Sequence, residues 1–222
     1  DADGFVGGVS RNYADVLRPT LEVIGADEKA HCVVGCYMMN VKGRTIFLAD
    51  ATVNVYPDSR TLAEIAVQTA KVARRFGIAP RVAMLSFSNF GSSRAQRSER
   101  IEDAIAFARE LDPSLVIDGP MQADTALNGD VQEEYPFMDF KGPANVLVLP
   151  NLASANIAYK LLEELGDAEM TGPILEGMEK PVQLVARQDG VRHIVNMAAI
   201  CAADAIRQDS YWETLVTPTS ED

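Results

Sequence analysis

The chain has 222 residues, 47% of them hydrophobic, enough for one large or two small domains around a sizeable core. Its 20 Lys and Arg against 32 Asp and Glu give a net charge of −12, which argues against nucleic acid and anionic membranes as partners, because phosphate surfaces would repel it. No apolar run approaches the ~20 residues that span a bilayer, and acids stand at the N-terminus where a secretion signal carries basic residues, so a cytoplasmic location is expected.

In chain order, Asp1 to Gly8 is glycine-rich and reads as a loop. Ala14, Leu17, Leu21 and Ile24 form a helical face closed by Gly25, with Pro19 predicting a kink or a late start. His31 to Met39 and Thr45 to Val53 read as strands joined by Lys42-Gly43-Arg44, a hairpin signature. Cys32 and Cys36 then fall on one face of the first of these strands. With Cys201 they are expected to be buried free thiols, since no metal-ligand spacing links them. Only His31 and His193 are present, which excludes a His-rich metal centre. After the turn at Pro57-Asp58-Ser59, Thr61-Leu62-Ala63-Glu64 has the form of a capping box. It opens a helix whose face carries Leu62, Ile65, Ala66, Thr69, Val72, Ala73 and Phe76, and Gly77 stops it.

The most informative stretch runs from Arg81 to Gly91. Val82-Ala83-Met84-Leu85 suits a buried strand, and Ser86, Ser88, Asn89, Gly91, Ser92 and Ser93 break it. A helix over 94–110 follows, with Ile101, Ala104, Ile105, Ala108 and Leu111 on one face. Strand, small polar loop and helix is the unit from which open α/β sheets build ligand sites, beyond the carboxyl ends of their strands. Asn89 and Ser93 can cap that helix or bind an anion, and the two roles are compatible. Leu115 to Ile117 is a strand that Asp118-Gly119-Pro120-Met121-Gln122 ends in a tight polar turn, where Asp118 either orients a ligand hydroxyl or caps the turn. Val131 to Gly142 reads as a surface loop and Asn145 to Pro150 as a strand. Ser154 caps a helix with Ile157, Leu161, Leu162 and Leu165 on one face. Gly172 to Gly177 is a strand-edge turn, Val191 to Ile206 a long apolar helix, and the tail from Gln208 is polar. Three βα units in succession predict a three-layer αβα protein, with a mostly parallel, doubly wound sheet and one antiparallel hairpin.

Four motifs occur in a telling order: Ala2 to Gly8, Arg81 to Ser88, Asp118 to Gln122, and Gly172-Pro173-Ile174-Leu175-Glu176-Gly177-Met178-Glu179-Lys180-Pro181-Val182. Together they resemble the phosphate acetyltransferase (phosphotransacetylase) family over nearly the whole chain. Ser86-Phe87-Ser88-Asn89-Phe90-Gly91-Ser92 is closer to the C-terminal phosphotransacetylase-like domain of large, multi-domain bacterial malic enzymes. The resemblance implies an isocitrate and isopropylmalate dehydrogenase type of fold, usually dimeric. It also implies a fragment, with about a hundred further residues ahead of Asp3. On that basis residues 1–30 end a first lobe, 31–190 form a second, and 191–222 hold a helix that returns to the first lobe, then the tail. Phe87, Phe90 and the 94–110 helix are expected near a subunit contact.

Acetyl transfer between coenzyme A and phosphate needs cations for the phosphates, a partner for the thiol and donors for the carbonyl oxyanion. Active members resemble Asp-Leu-Ser-Arg-Gly followed by Val-Glu-Asp-Ile after Lys-Pro-Val. There the Ser and Arg handle phosphate and oxyanion, and the Asp faces the thiol. Here the Arg survives as Arg187, the Ser has become Ala186 and the Asp has become His193. A hydroxyl-rich segment of the family, Ser-Gly-Ala-x-His-Thr-Thr, reads Gly7-Gly8-Val9-Ser10-Arg11-Asn12-Tyr13, where Arg11 and Asn12 replace most of the hydroxyls. The expected site therefore binds acetyl-CoA or coenzyme A through Arg187, His193, Ser86, Ser88, Asn89, Ser93, Arg11, Asn12 and Asp118, and turns it over poorly. No Gly-x-Gly-x-x-Gly follows a strand and no carboxylate cluster presents a metal site. NAD(P) and a divalent metal are thus expected in the missing N-terminal malic enzyme domains, with acetyl-CoA as effector here. Two alternatives stand beside this reading: an active transferase in which His193 and Arg11 do the lost work, and a purely structural oligomerisation module.

Overall fold

A computed structural model describes residues 2–91 and 96–208, with the side chains of 96–98 left aside. In chain order the elements are β1 (Phe5–Gly8), α1 (Tyr13–Val23), β2 (Val34–Val41), β3 (Arg44–Ala49), α2 (Ser59–Arg75), β4 (Val82–Leu85), α3 (Gln96–Leu111) and β5 (Ile117–Met121). They continue with α4 (Ala123–Leu127), α5 (Gly129–Gln132), β6 (Val146–Val148), α6 (Leu152–Leu165), β7 (Glu169–Glu176), β8 (Val182–Val185) and α7 (Val191–Gln208). Two compact units divide the chain. Unit one takes the residues up to Lys29 and those from Met178 on, and unit two takes Ala30–Gly177.

Unit two is a six-stranded mixed sheet in the order β5-β4-β6-β3-β2-β7. β5, β4, β6 and β3 run parallel, while β2 is antiparallel to both β3 and β7. The expected mostly parallel sheet with an antiparallel hairpin is therefore present. Lys42 (φ 49°) and Gly43 (φ 73°) both take the left-handed conformation that a two-residue hairpin turn requires. Phe47, Leu48, Val82, Met84, Ile117 and Val146 are buried on the sheet, and Leu62, Ile65, Ala66, Val72 and Ala73 of α2 are buried as well. Each large apolar side chain so buried contributes about 1.5–3 kcal/mol.

Several elements depart from the sequence reading. Phe5–Gly8 is a strand rather than a loop, because β8 supplies a parallel partner from the far end of the chain. Asp118–Met121 belongs to β5 and Gly172–Gly177 largely to β7, where turns were expected. Both are edge strands, where a proline removes no ladder hydrogen bond, so Pro120 and Pro173 are tolerated. Cys32 precedes β2, so only Cys36 lies on the strand. Both thiols are free, and burial first, then nearby carboxylates, push each up to about 12. The stripe assigned to α6 faces outward: Ile157, Leu161 and Leu165 are exposed, while Ala155 and Tyr159 turn inward and Tyr159 stacks on Tyr37. Leu111 is likewise exposed. The 131–142 segment is not a simple surface loop. Gln132, Met138 and Phe140 are buried, and Gln132 Nε2 donates to the carbonyls of Thr125 and Gly142.

Two helix caps also differ. Asn151, not Ser154, caps α6 and accepts from Ser154 N at 2.9 Å. Asp58, not Thr61, caps α2 and accepts from Thr61 N at 2.8 Å, while Glu64 is buried and accepts from Gln68. That Thr61 N–H holds the Asp58 carboxyl below the usual carboxylate range. The cap is therefore in place above the ordinary carboxylate pKa and lost as pH falls through the depressed one. Asp58→Ala is expected to cost about 1 kcal/mol at neutral pH and less at acidic pH, which melting curves at the two pH values would check.

Unit one has β1 parallel to β8, with Phe5 opposite Val182 and Gly8 opposite Val185. Helices α1 and α7 complete it. Pro19 lies inside α1 without ending it, and α7 buries Met197, Cys201 and Asp204. Among the described residues no helix is long and apolar enough to cross a membrane.

Candidate functional site

The residues singled out from the sequence fall into two groups, each built by the strand ends of one unit. In unit one, β1 and β8 lie side by side, and the loops that leave them carry Ser10-Arg11-Asn12 and Ala186-Arg187. Gly8 makes the pairing possible. Its φ is +132°, and an added Cβ would stand 1.9 Å from the carbonyl oxygen of Val185. Val9 N then donates to that same oxygen at 3.2 Å. Beyond it the chain turns, and the carbonyl of Ser10 accepts from an Arg187 Nη at 3.0 Å. Arg187 is exposed, so one edge of its guanidinium is tied to the neighbouring loop and the rest meets solvent. Arg11 and Asn12 are exposed on the same loop. Asn12 stands at the N-cap of α1, but its side chain reaches Asp15 Oδ2 at 3.2 Å instead of a helix N–H.

Asp189 organises the second loop. Its Oδ2 accepts from Ala186 N at 2.6 Å, and Asp189 N donates back to Ala186 O at 3.2 Å. The same oxygen lies 3.5 Å from Nε2 of His193, one turn into α7. At that separation the carboxylate is a neighbour and not a hydrogen-bond acceptor, and the buried Nε2 has no hydrogen-bond partner among the described residues. Position 186 thus offers an incoming carbonyl oxygen neither a hydroxyl nor a free N–H. What remains for an anion is the guanidinium of Arg187, with Arg11 beside Ser10.

In unit two, the loop after β4 is clamped to the end of β5. Ser86 N donates to Met121 O at 2.8 Å, and Phe90 N to Pro120 O at 2.7 Å. Asn89 Oδ1 accepts from Gln122 N at 2.7 Å, and its Nδ2 donates to Gln122 Oε1 and to the Tyr135 hydroxyl. Asn89 is thus tied to Gln122 and Tyr135, at the end of β5 and beyond it. Ser88 is buried, and its hydroxyl has no partner among the described residues. Ser93 lies outside the described residues. Phe87 is exposed, whereas Phe90 packs against Tyr135 and Phe137. Both Asp118 oxygens are occupied, one by Gly119 N at 2.8 Å and one by Asp139 N at 2.9 Å. Burial raises its pKa, and those two N–H groups oppose the rise. These bonds tie the Asp118 side chain to its own strand and to the Asp139 backbone.

Sequence reasoning missed Asp189, Gln122 and Tyr135. For Asp189 a signal existed, since Asp189-Gly190 directly before an apolar helix is a start pattern. Gln122 and Tyr135 act across 33 and 46 residues, and no local pattern reports such pairs. No group of His, Cys, Asp and Glu able to hold a metal occurs among the described residues.

A model of the phosphate acetyl/butaryl transferase family matches residues 1–202. The phosphate acetyltransferase of Bacillus subtilis (strain 168) is 41% identical over 206 residues, covering 92% of this chain and 64% of its own length. The NADP-dependent malic enzyme of Rhizobium meliloti (strain 1021) is 42% identical over 205 residues, covering 92% of this chain and 27% of its own length. The chain thus spans under two thirds of the one and about a quarter of the other. A phosphotransacetylase crystal structure from Streptococcus pyogenes superposes with a TM-score of 0.88 at 38% identity, over 93% of this chain and 64% of that one.

Proposed function

The chain belongs to the phosphate acetyl/butaryl transferase family, and we propose that it is a binding form of that family: the acetyl-CoA-sensing, self-associating region of a malic enzyme. Identity does not separate the two kinds of relative, at 41% and 42%. The reading rests instead on the residues at the loop ends of this chain. The observation that carries the reading is Ala186, which has no hydroxyl and whose N–H is already donated to Asp189, beside an exposed Arg187. Losing one preorganised donor lowers a rate by about 10²–10³, whereas holding a phosphate needs only a cation and N–H groups. A site that binds without reacting can couple acetyl-CoA to a distant activity through its different affinity for two states of the enzyme. In this reading the fold is of the isocitrate and isopropylmalate dehydrogenase type. Malate oxidation, NAD(P) and a divalent metal belong to other domains of a cytoplasmic parent chain. The exposed Phe87 beside the Phe90–Tyr135–Phe137 cluster serves contact with a second copy.

One observation favours an active transferase instead. Asp189 could orient His193 as the base for the coenzyme A thiol. The two readings separate in the intact parent chain. Calorimetry is expected to detect acetyl-CoA binding, while acetyl phosphate formation from acetyl-CoA and phosphate runs about 10²–10³-fold below that of an active relative. Rapid acetyl phosphate formation that Arg187→Ala abolishes would establish the transferase.

A further inference from the structure

We propose that unit two carries a second site, a two-arginine cradle for a small doubly charged oxyanion, at the opposite end of its sheet from the 86–91 loop. The strand register builds it. Val146 lies beside Phe47 on one side and Val82 on the other. The first residues of β3 and those just ahead of β6 and β4 therefore form one row: Arg44 and Thr45, then Asn145, then Arg81. They line a cavity of about 210 Å³ with Pro143 and Ala144.

The row is rigid. Asn145 Oδ1 accepts from Arg81 N at 2.7 Å, and its Nδ2 donates to Ala79 O at 2.8 Å. Arg81 Nε donates to Pro143 O at 2.9 Å, which fixes the plane of the guanidinium and, among the described residues, leaves both Nη groups uncommitted. Arg44 reaches Leu127 O through one Nη at 3.5 Å. Both arginines are half-buried. Among the described residues neither has a carboxylate partner, whereas Arg74, Arg75, Arg109 and Arg207 each have one. In a chain with net charge −12, two guanidiniums without carboxylate partners lining one concavity make a local positive spot that an anion would neutralise. Their planar forks match the paired oxygens of phosphate or carboxylate.

The volume limits the occupant. Pockets for drug-sized ligands run to about 300–1,000 Å³, so the space between these residues matches a small oxyanion rather than a whole nucleotide or coenzyme A. It admits inorganic phosphate, a very small phosphorylated metabolite or a dicarboxylate. The five residue steps from Arg81 to Ser86 span about 16 Å of strand, so an occupant does not touch the loop after β4.

The test titrates the intact chain calorimetrically with inorganic phosphate and, in a second arm, with malonate, at constant ionic strength set with chloride. One or both are expected to bind, and the arm that binds identifies which oxyanion the cradle takes. Arg44→Gln, which gives up only one long backbone contact, is expected to weaken that binding about ten-fold or more with the melting temperature of the ligand-free chain unchanged. Arg81→Lys, which keeps the charge and loses the fork, is expected to weaken it as well. Arg187→Ala should leave it intact, which separates this site from the one proposed for acetyl-CoA. The proposal is overturned if neither anion binds, if both cradle variants titrate like the unchanged chain, or if Arg187→Ala alone removes the binding.

Discussion

Gly8→Ala is expected to destabilise the chain by at least about 3 kcal/mol and to disorder the β1–β8 pair. Two effects add. The backbone there has φ +132°, a region that only glycine occupies readily, and the new Cβ would stand 1.9 Å from a backbone oxygen that has no way to retreat without breaking the ladder. Gly25→Ala is the matched control. Its φ is +85° with nothing within 4 Å of an added Cβ, so only the left-handed cost of about 1–2 kcal/mol applies. Thermal melting of both variants, with hydrogen exchange at the amides of β1 and β8, measures the difference. Equal melting temperatures would show that Val185 yields freely and that the pairing is not held as described. Gly8 also bears on binding, because Ser10 N donates to Gly8 O at 2.7 Å and Ser10 O receives Arg187. A chain that survives Gly8→Ala should therefore bind acetyl-CoA more weakly.

The parts of the fold that were legible in the sequence are those set by local pattern. The hairpin at Lys42-Gly43, the buried strand at Val82–Leu85 and the apolar helix from Val191 all follow from neighbours a few residues apart. What was not legible depends on partners far along the chain. Phe5–Gly8 becomes a strand only because Val182–Val185 pairs with it, and Gly172–Gly177 extends into β7 only because β2 lies alongside. Helix phase failed at α6 for a similar reason. Ile157, Leu161 and Leu165 form a good stripe, yet Ala155 and Tyr159 fit the core, where Tyr37 offers a stacking partner. At the candidate site, motif order located Ala186, Arg187 and His193. It did not reveal that Asp189 occupies the N–H of residue 186, the feature that most reduces what this loop can do for an oxyanion.

If acetyl-CoA is sensed through Arg187 in a malic enzyme, as proposed, the effect is read in the acetyl-CoA dose-response of malate oxidation by the full-length protein carrying Arg187→Ala. Coenzyme A brings several negative charges to a chain whose net charge is −12, so binding must rest on a few local cations. Arg187 is exposed and oriented by the Ser10 carbonyl, and it stands in the loop just ahead of α7. A charge-assisted contact contributes about 1.5–3 kcal/mol, so its loss should weaken acetyl-CoA binding roughly 10- to 100-fold. The dose-response should shift out of the range where the unchanged chain responds, while Arg18→Ala, an exposed cation on α1, keeps the normal response. An Arg187→Ala chain that melts like the unchanged one and responds to acetyl-CoA at the same concentrations would put the sensing site elsewhere.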